Sequence, residues 1–249
     1  MSNSVNSDAI RAGLSCTRLS LEVEIRTVLA GKRERFGPWP HMSAIGKSPT
    51  PGPWVVTPVG IEGDEQGDRR HHGGPEKALH HYPLEHHSAW CGDLPAGHDL
   101  LNHPGAFGEN ISALGVTEYS VHVGDVFQLG EVLLQVSQAR QPCWKLNVRF
   151  NVPDMALRAQ RSGRVGWYYR VLRPGRFALG DRLILKSRPQ PRWSLARLLE
   201  VFYVRTLDRI SLAEIVTLPE LSPTWRALAE RRLKTQTVEG WDARLLGAE

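Results

Sequence analysis

Cys143 has neighbours of the types that favour a reactive thiol. It lies in the segment Arg-Gln-Pro-Cys-Trp-Lys at residues 140–145, which follows an alternating apolar run. Nearby positive charge lowers the pKa of a thiol from its ordinary value of about 8.5, and the thiolate is the form that attacks electrophiles and binds soft metals. The segment therefore predicts a nucleophile or a metal ligand, and the alternative is a buried cysteine that acts as a small apolar group.

The densest polar segment covers residues 63–78, with the sequence Gly-Asp-Glu-Gln-Gly-Asp-Arg-Arg-His-His-Gly-Gly-Pro-Glu-Lys-Ala. Glycines such as Gly73 and Gly74 let backbone N–H groups approach a ligand closely, and Arg69, Arg70 and Lys77 could pair with a phosphate. The glycine and lysine spacing of a Walker loop is absent. We predict an anion site in this segment, and the alternative is a solvated glycine-rich turn.

Three histidine doublets, at residues 71–72, 80–81 and 86–87, raise the question of a zinc site. Adjacent histidines rarely converge on one ion, and neither a His-Glu-x-x-His nor a Cys-x-x-Cys motif accompanies them. Zinc is therefore not predicted. A hydrogen-bonding role is favoured, with His72 as the first candidate because it lies between arginines and glycines.

The segment Phe-Gly-Glu-Asn at residues 107–110 is a further polar candidate. A turn-forming glycine is followed by two hydrogen-bonding side chains, and apolar residues resume at Ile111. Asn110 could contact a ligand, or the segment could simply close a turn.

Composition indicates a soluble globular protein with no membrane span. The chain has 249 residues, 41% hydrophobic and 23% charged, with a net charge of +5 and a pI near 9.3. A basic average field attracts anionic ligands, but the basic residues are dispersed and show no recognisable nucleic-acid motif. Three widely spaced cysteines suit a reducing compartment, and the polar N-terminus lacks a secretory core, so we expect a cytoplasmic protein.

The pattern along the chain predicts a strand-rich body with short helices. Alternation or apolar runs predict strands near residues 21–28, 54–59, 121–129, 132–137, 166–171 and 182–185. Short helices are predicted at residues 154–161 and at 83–91, where Pro83 would be the first helical residue. Cys143 then lies in a loop just beyond a strand end, where functional residues concentrate.

Helices replace strands near residue 190. Ser194 is a candidate N-cap for a helix with an apolar face, Asp208 can cap a second, and Ser222-Pro223 can open a third that ends in Arg231, Arg232 and Lys234. Cations suit the C-terminal end of a helix dipole. We predict a flexible lead-in at residues 1–20, a strand-rich domain at 21–190 and a three-helix domain at 191–249.

The motifs taken together resemble those of MOSC-domain proteins, most closely the YiiM type. The shared residues occur in the family's order, namely Gly-Asp-Glu-Gln at 63–66, Arg70-x-His-Gly-Gly-Pro-x-Lys-Ala to residue 78, Phe-Gly-Glu-Asn at 107–110, Val-Gly-Asp at 123–125 and Val-Ser-Gln-x-Arg-x-Pro-Cys-x-Lys-Leu at 136–146. Such a resemblance implies a mainly β fold, a closed β-barrel followed by a small helical domain. It also implies binding of molybdenum cofactor, a pterin that carries a dithiolene and a phosphate.

The resemblance further implies roles for individual residues. Cys143 matches the family's molybdenum ligand, and proteins of this kind reduce N-hydroxylated compounds such as N-hydroxylaminopurines. His72 and Asn110 are predicted as polar groups near the metal or substrate, with Cys143 the catalytic centre. The predicted phosphate or pterin contacts are Arg70, Lys77, Arg140, Lys145, Gly73 and Gly74.

The partners follow from the same resemblance. No flavin, haem or iron–sulfur motif is visible, so electrons must come from a separate donor protein, which the basic helical tail could dock. We expect no nucleic-acid or membrane partner. Two alternatives remain open, namely a cofactor or sulfur carrier without turnover and a transferase that uses Cys143 as nucleophile with His72 as base.

Overall fold

The computed structural model describes residues 21–37, 41–67, 73–94 and 99–247. Thirteen strands and seven α-helices lie in these ranges. The strands are β1 Glu22–Ala30, β2 Glu34–Arg35, β3 Met42–Ser43, β4 Ser48–Pro49, β5 Trp54–Thr57, β6 Gly60–Ile61, β7 Leu79–Pro83, β8 Ile111–Ala113, β9 Val126–Leu129, β10 Val132–Ala139, β11 Trp167–Arg173, β12 Gly175–Phe177 and β13 Arg182–Ser187. The helices are α1 Glu85–Asp93, α2 Lys145–Phe150, α3 Met155–Ser162, α4 Leu195–Tyr203, α5 Arg209–Val216, α6 Pro223–Thr235 and α7 Asp242–Leu246.

Seven strands close into a barrel. Their order is β13, β9, β10, β11, β7, β8 and β1, and the pairing of β1 with β13 completes the ring. Of these pairings, β7 with β8 is parallel and the others are antiparallel. The predicted fold class, a mainly β protein with a closed barrel and C-terminal helices, is confirmed.

Alternation of apolar and polar side chains explains why the barrel strands form. In β13 the residues Leu183 and Leu185 are buried and their neighbours are exposed, as expected for a strand with one face on the core. In β7 every residue is buried, because both faces of this strand are covered. Successive side chains of β7, such as those of His80 and His81, therefore lie in different buried surroundings.

The predicted strands near residues 21–28, 54–59, 132–137, 166–171 and 182–185 are present with small shifts at their ends. The predicted strand at 121–129 starts late, at Val126. A turn precedes it, in which the Asp125 backbone N–H donates to the His122 carbonyl at 3.1 Å and Gly124 has φ +77°. The turn needs a left-handed residue, which glycine supplies without steric cost.

The prediction that Pro83 starts a helix is wrong. Pro83 is the last residue of β7, where it faces Ala113 of β8, and α1 begins at Glu85 with Leu84 as its N-cap. Proline is tolerated at a strand end because its missing N–H interrupts no further ladder bond. The local pattern could not separate the two positions, since proline also suits the first turn of a helix.

The C-terminal helices follow the predicted capping. The Ser194 hydroxyl accepts a hydrogen bond from the Arg197 backbone N–H at 3.2 Å, and Asp208 accepts from Ile210 and Ser211. Pro223 opens α6. The predicted domain boundary near residue 190 stays a prediction, and the predicted lead-in lies outside the described residues.

Two features of this helical part differ from the sequence prediction. Arg232 does not lie at an exposed helix end: its guanidinium is fully buried, donates to the Phe202 carbonyl at 2.8 Å and pairs with Glu239. A fourth helix, α7, follows α6 and contacts the segment between β10 and α2, where the Trp144 backbone N–H donates to the Arg244 carbonyl at 2.8 Å. No helix within the described ranges is long and apolar enough to cross a membrane.

Candidate functional site

A cavity between the barrel and the segment after β3 contains most of the predicted site residues. It has an empty volume of about 570 Å³, including the part open to solvent. Cys143 lines it from the loop that joins β10 to α2. The lining also includes Ser43, Ala44 and Ile45. Elements far apart in sequence therefore meet around the thiol.

The position of Cys143 is set by the strand before it and the helix after it. The ladder of β10 ends at Ala139, and the Arg140 backbone N–H then donates to the Gly166 carbonyl at 3.0 Å. The Cys143 carbonyl accepts from the Leu146 N–H at 2.9 Å, which begins the turn into α2. Cys143 is 8% exposed and lines the cavity, so the residue is largely shielded from bulk solvent.

Three of the predicted cations line the same cavity, namely Lys77, Arg140 and Lys145. Arg140 is 7% exposed, and its Nη1 atom has no hydrogen-bond partner among the described residues. The Lys145 ammonium donates to the Met42 carbonyl at 3.2 Å and lies 5.9 Å from the centroid of the Trp144 ring. The sequence spacing of Arg140 and Lys145 around Cys143 thus places both charges on one cavity.

Asn110 lines the cavity, but its amide group is engaged in holding the wall. Its Nδ2 atom donates to the Leu29 carbonyl at 3.2 Å and to Asp64 at 2.8 Å, and its Oδ1 atom accepts from the His80 backbone N–H at 3.1 Å. Both amide hydrogens are used within the protein. The geometry therefore supports a structural role, and contact of Asn110 with metal or substrate stays a prediction.

The neighbouring Glu109 shapes the loop beneath the cavity. Its carboxylate accepts from the backbone N–H groups of Gly105 at 2.6 Å and Phe107 at 3.1 Å, and from the Ser112 hydroxyl at 2.9 Å. Phe107, which lines the cavity, stacks on Tyr82 with ring centroids 4.0 Å apart. Phe-Gly-Glu-Asn is thus a turn that also lines the cavity, and contact of this segment with a ligand stays a prediction.

The remaining predicted site residues are placed as follows. Arg70 and His72 lie outside the described residues. Gly73 and Gly74 are described but do not line the cavity. Gly74 has φ +89° and borders an adjoining cleft with Gln66, whose side chain accepts from the Gly74 backbone N–H at 3.3 Å. The predicted contact of these glycines with a cofactor stays a prediction.

A buried ion pair, which no sequence motif indicates, also borders the cavity. The ammonium of Lys47 bonds to the Asp64 carboxylate, and both side chains are almost entirely buried. Burial lowers the pKa of Lys47, although the charge of Asp64 and its hydrogen bond oppose that shift. Lys47 is a fourth cation on the cavity, and no local motif signals it because its partner lies 17 residues away.

His80 and Tyr168 are two further cavity residues. Burial lowers the pKa of His80 well below its ordinary value, and the charge of Arg140 lowers it further, so the imidazole is neutral near pH 7. Burial raises the pKa of Tyr168, which keeps its hydroxyl protonated. The two rings lie 5.0 Å apart. The cavity thus offers neutral hydrogen-bonding groups beside its cations.

The histidine doublet at residues 80–81 divides between two environments. His80 lines the cavity, whereas His81 packs in the core, 3.0 Å from the Tyr169 hydroxyl and 4.4 Å from the Trp167 ring centroid. Successive strand residues point to opposite faces, which explains the division. No group of His, Cys, Asp and Glu in the described part of the chain could hold a metal ion by itself.

Comparison with known proteins agrees with the fold. Residues 68–184 match the MOSC domain, and residues 193–236 match the YiiM-like 3-alpha helix domain. Protein YiiM of Escherichia coli (strain K12) is 37% identical over 220 residues, which cover 88% of this chain and 97% of that protein. The crystal structure of YiiM from Escherichia coli has a TM-score of 0.77 and 32% identity, and the match covers 91% of this chain and all of that one.

A fungal relative is also similar. A protein named Reductase from Gibberella moniliformis (strain M3125 / FGSC 7600) is 38% identical over 194 residues, which cover 78% of this chain and 34% of that protein. The fold and both domain matches define a MOSC-domain protein. Within that class, the chain belongs to the YiiM-like family.

MOSC domains are associated with binding of molybdenum cofactor, and the cavity residues fit such a group. A thiolate is a soft ligand suited to a metal of this kind. The unpaired Nη1 atom of the buried Arg140 offers a hydrogen bond to an anionic group, and a phosphate is such a group. Lys77 and Lys145 add positive charge on the same cavity.

Proposed function

We propose that this chain is a molybdenum-cofactor-dependent reductase that removes the N–OH oxygen of N-hydroxylated compounds, such as N-hydroxylaminopurines. The observation that carries the proposal is the convergence of the Cys143 thiol with the unpaired guanidinium nitrogen of Arg140 in one cavity. Membership of the YiiM-like family and the similarity to a protein named Reductase support the class of reaction.

Each cavity residue has a task in this proposal. Cys143 would hold the metal, while Arg140, Lys77 and Lys145 would hold the anionic parts of the cofactor. When bound, the cofactor supplies the two-electron chemistry at the N–O bond. The balanced reaction converts R–NHOH, two electrons and two protons into R–NH2 and water.

The neutral groups of the cavity suit a polar substrate. The protonated Tyr168 hydroxyl can donate a hydrogen bond to the N–OH group, and the uncharged His80 adds no further positive charge to the cavity. Phe107 adds apolar surface to the same cavity, although most of its ring is buried against Tyr82 and other core residues. A substrate with a polar N–OH group and no positive charge suits a cavity that already contains several cations.

The decisive experiment compares Cys143→Ala with Cys91→Ala, because Cys91 is an exposed cysteine that does not line the cavity. Each variant is produced in a cofactor-competent host and analysed for molybdenum and pterin. Reduction of 6-N-hydroxylaminopurine to adenine is then followed by chromatography, with reduced methyl viologen as donor. We expect metal and turnover in the Cys91→Ala variant and neither in the Cys143→Ala variant.

Other outcomes separate the alternatives. Turnover that persists without Cys143 would show that the ligand assignment is wrong. Bound pterin and metal with no adenine formed would favour a carrier. A chain that contains no molybdenum but whose Cys143 is alkylated rapidly would favour a cysteine nucleophile.

We also propose a separate electron-donor protein. The hypothesis that the basic helical tail docks it is tested with substitutions of exposed arginines such as Arg231→Glu, whose side chain is 56% exposed. Truncation near residue 190 is a poor test, because α7 contacts the segment around Cys143. Donor-dependent turnover that is unchanged in the charge-reversal variants would contradict docking at this surface.

A further inference from the structure

We propose that Arg244, on the C-terminal helix α7, is a positioning residue for Cys143. Its guanidinium Nη1 atom donates to the Pro142 carbonyl at 2.5 Å. Its own backbone carbonyl accepts from the Trp144 N–H at 2.8 Å. One residue thus bonds to the peptide groups immediately before and after the cysteine, although about a hundred residues separate it from them.

Arg244 is itself held in place by a second contact. Its Nη2 atom donates to the Gln160 side chain of α3 at 2.6 Å, and Gln160 is buried. Asn147 of α2 adds a parallel connection, because its Nδ2 atom donates to the Leu245 carbonyl at 2.7 Å and its Oδ1 atom accepts from the Ala156 N–H at 2.7 Å. Helix α7 is therefore tied to α2 and α3 beside the cysteine.

The segment around Cys143 needs an external partner. It lies between the end of β10 and the start of α2, so no strand ladder holds it. Pro142 is buried and, as a proline, has no backbone N–H to donate. A buried carbonyl without a donor is costly, and Arg244 supplies that donor with a charge-assisted bond.

A ligand thiol must be held near one position to bind a metal tightly, and outer contacts that orient such ligands contribute to affinity. The positioning role of Arg244 in metal binding rests on the proposed function. Its effect on the Cys143 thiol does not, because the mobility of the thiol can be measured without cofactor. Measuring thiol reactivity without cofactor and metal content with cofactor therefore separates a failure of this inference from a failure of the proposed function.

The first measurement uses the full chain with Cys16→Ser and Cys91→Ser, made in a host that lacks molybdenum cofactor. Alkylation of Cys143 by iodoacetamide is followed by mass spectrometry in the Arg244→Met variant. The control is Val201→Ala, a core change in α4 chosen to lower the melting temperature by a similar amount. We expect alkylation roughly tenfold faster with Arg244→Met, the factor that corresponds to about 1.4 kcal/mol.

Two further variants keep the test decisive if Arg244→Met folds poorly. Arg244→Lys keeps the positive charge but replaces the two guanidinium nitrogens that contact Pro142 and Gln160 with a single nitrogen, so we expect an intermediate rate. Gln160→Leu removes only the second contact of Arg244, and we expect a smaller increase. Alkylation rates in the Arg244 variants that match the Val201→Ala control would overturn the proposal, because they would show a general loss of stability.

The second measurement is molybdenum per chain after expression in a cofactor-competent host. We expect a lower metal content for Arg244→Met than for Val201→Ala, with partial recovery in Arg244→Lys. If the unmodified chain holds no molybdenum, the proposed function fails, and the alkylation rates still decide the role of Arg244. If that chain holds molybdenum and alkylation is unaffected, the inference alone fails.

Discussion

Asp64 is bonded on several sides in the cavity wall, which makes Asp64→Ala a sharp test of the buried ion pair. Its carboxylate accepts from the Gly31 backbone N–H at 2.8 Å and from Asn110 at 2.8 Å, and it pairs with Lys47. The side chain is 5% exposed and that of Lys47 is 8% exposed. Alanine would leave the ammonium of Lys47 buried without its carboxylate.

The expected loss follows from these contacts. Removing one partner of a buried ion pair costs about 3–5 kcal/mol, because the other charge is left uncompensated. Lys47 relieves part of this cost, since its pKa is already lowered by burial and loss of Asp64 lowers it further. We therefore expect a loss near the lower end, about 3 kcal/mol. For a domain of this size that corresponds to a melting temperature roughly 6–12 °C lower.

Urea unfolding followed by tryptophan fluorescence measures the effect, with Lys47→Met and the double variant completing a cycle. We expect a coupling energy of about 1–3 kcal/mol, so that the double variant is more stable than the sum of the single changes predicts. The matched control is Glu65→Ala. Glu65 is the next residue and pairs with Lys32 on the exposed surface, so its loss should leave the melting temperature nearly unchanged.

A melting temperature for Asp64→Ala equal to that of the Glu65→Ala control would refute this reasoning. So would additive effects of Lys47→Met and Asp64→Ala, because additivity means that the two groups do not interact. Either result would mean that water screens the pair in solution.

Two further predictions concern buried ionisable groups. Burial lowers the pKa of His81 from 6.5 to about 3. Between pH 6.5 and 3 this histidine is therefore protonated in the unfolded chain but neutral in the folded one, so the free energy of unfolding falls as the pH drops below 6.5. His81→Phe should reduce the loss in unfolding free energy between pH 6.5 and 4.5 by about 2 kcal/mol, and an unchanged slope would contradict the assignment. Burial alone would raise the pKa of Glu239, but hydrogen bonds from Arg232 and Trp241 lower it to about 2, so its stabilising contribution is complete above pH 4.5 and is lost as pH falls towards 2. Arg232→Met should cost about 3 kcal/mol and reduce this acid dependence, because the Trp241 hydrogen bond to Glu239 would remain. Arg231→Met, at an exposed site, should change thermal unfolding little.

Local pattern was enough to predict most barrel strands and the caps of the C-terminal helices. Alternation in β1 and β13 reflects one face on the core, and Ser194 and Asp208 satisfy backbone donors within three residues of themselves. Such signals act over short distances, so sequence alone contains them. Pro83 was assigned wrongly because a strand end and a helix start make the same local demand on proline.

The burial of Arg232 and the presence of α7 could not be read locally. The partners of Arg232 are the Phe202 carbonyl, 30 residues earlier, and Glu239, and no pattern of charges marks this arrangement. Helix α7 is short, and its contacts with the segment around Cys143 come from a distant part of the chain. Both depend on how the helices pack against the barrel.

The same distinction applies to the site. The proximity of Arg140 and Lys145 to Cys143 could be predicted from sequence, because residues two or three positions apart in one loop lie close together in space. All three line the same cavity. The other cavity residues lie in separate segments of the chain that meet only when the barrel closes, namely Lys47, Asp64, His80 and Tyr168. The doublet at residues 80–81 illustrates the limit, since only the closed sheet determines that His80 faces the cavity and His81 the core.

By itself, then, the sequence determined the strand periodicity, the helix caps and the cationic surroundings of one cysteine, because these depend on neighbouring residues. Tertiary structure decided which distant residues complete the cavity and that Arg244 bonds to the peptide groups on both sides of Cys143. Contacts of this range form only when ring closure and helix packing bring the elements together. The thiol of Cys143, whose sequence neighbours predict its reactivity, is therefore positioned by Arg244 of the C-terminal helix α7.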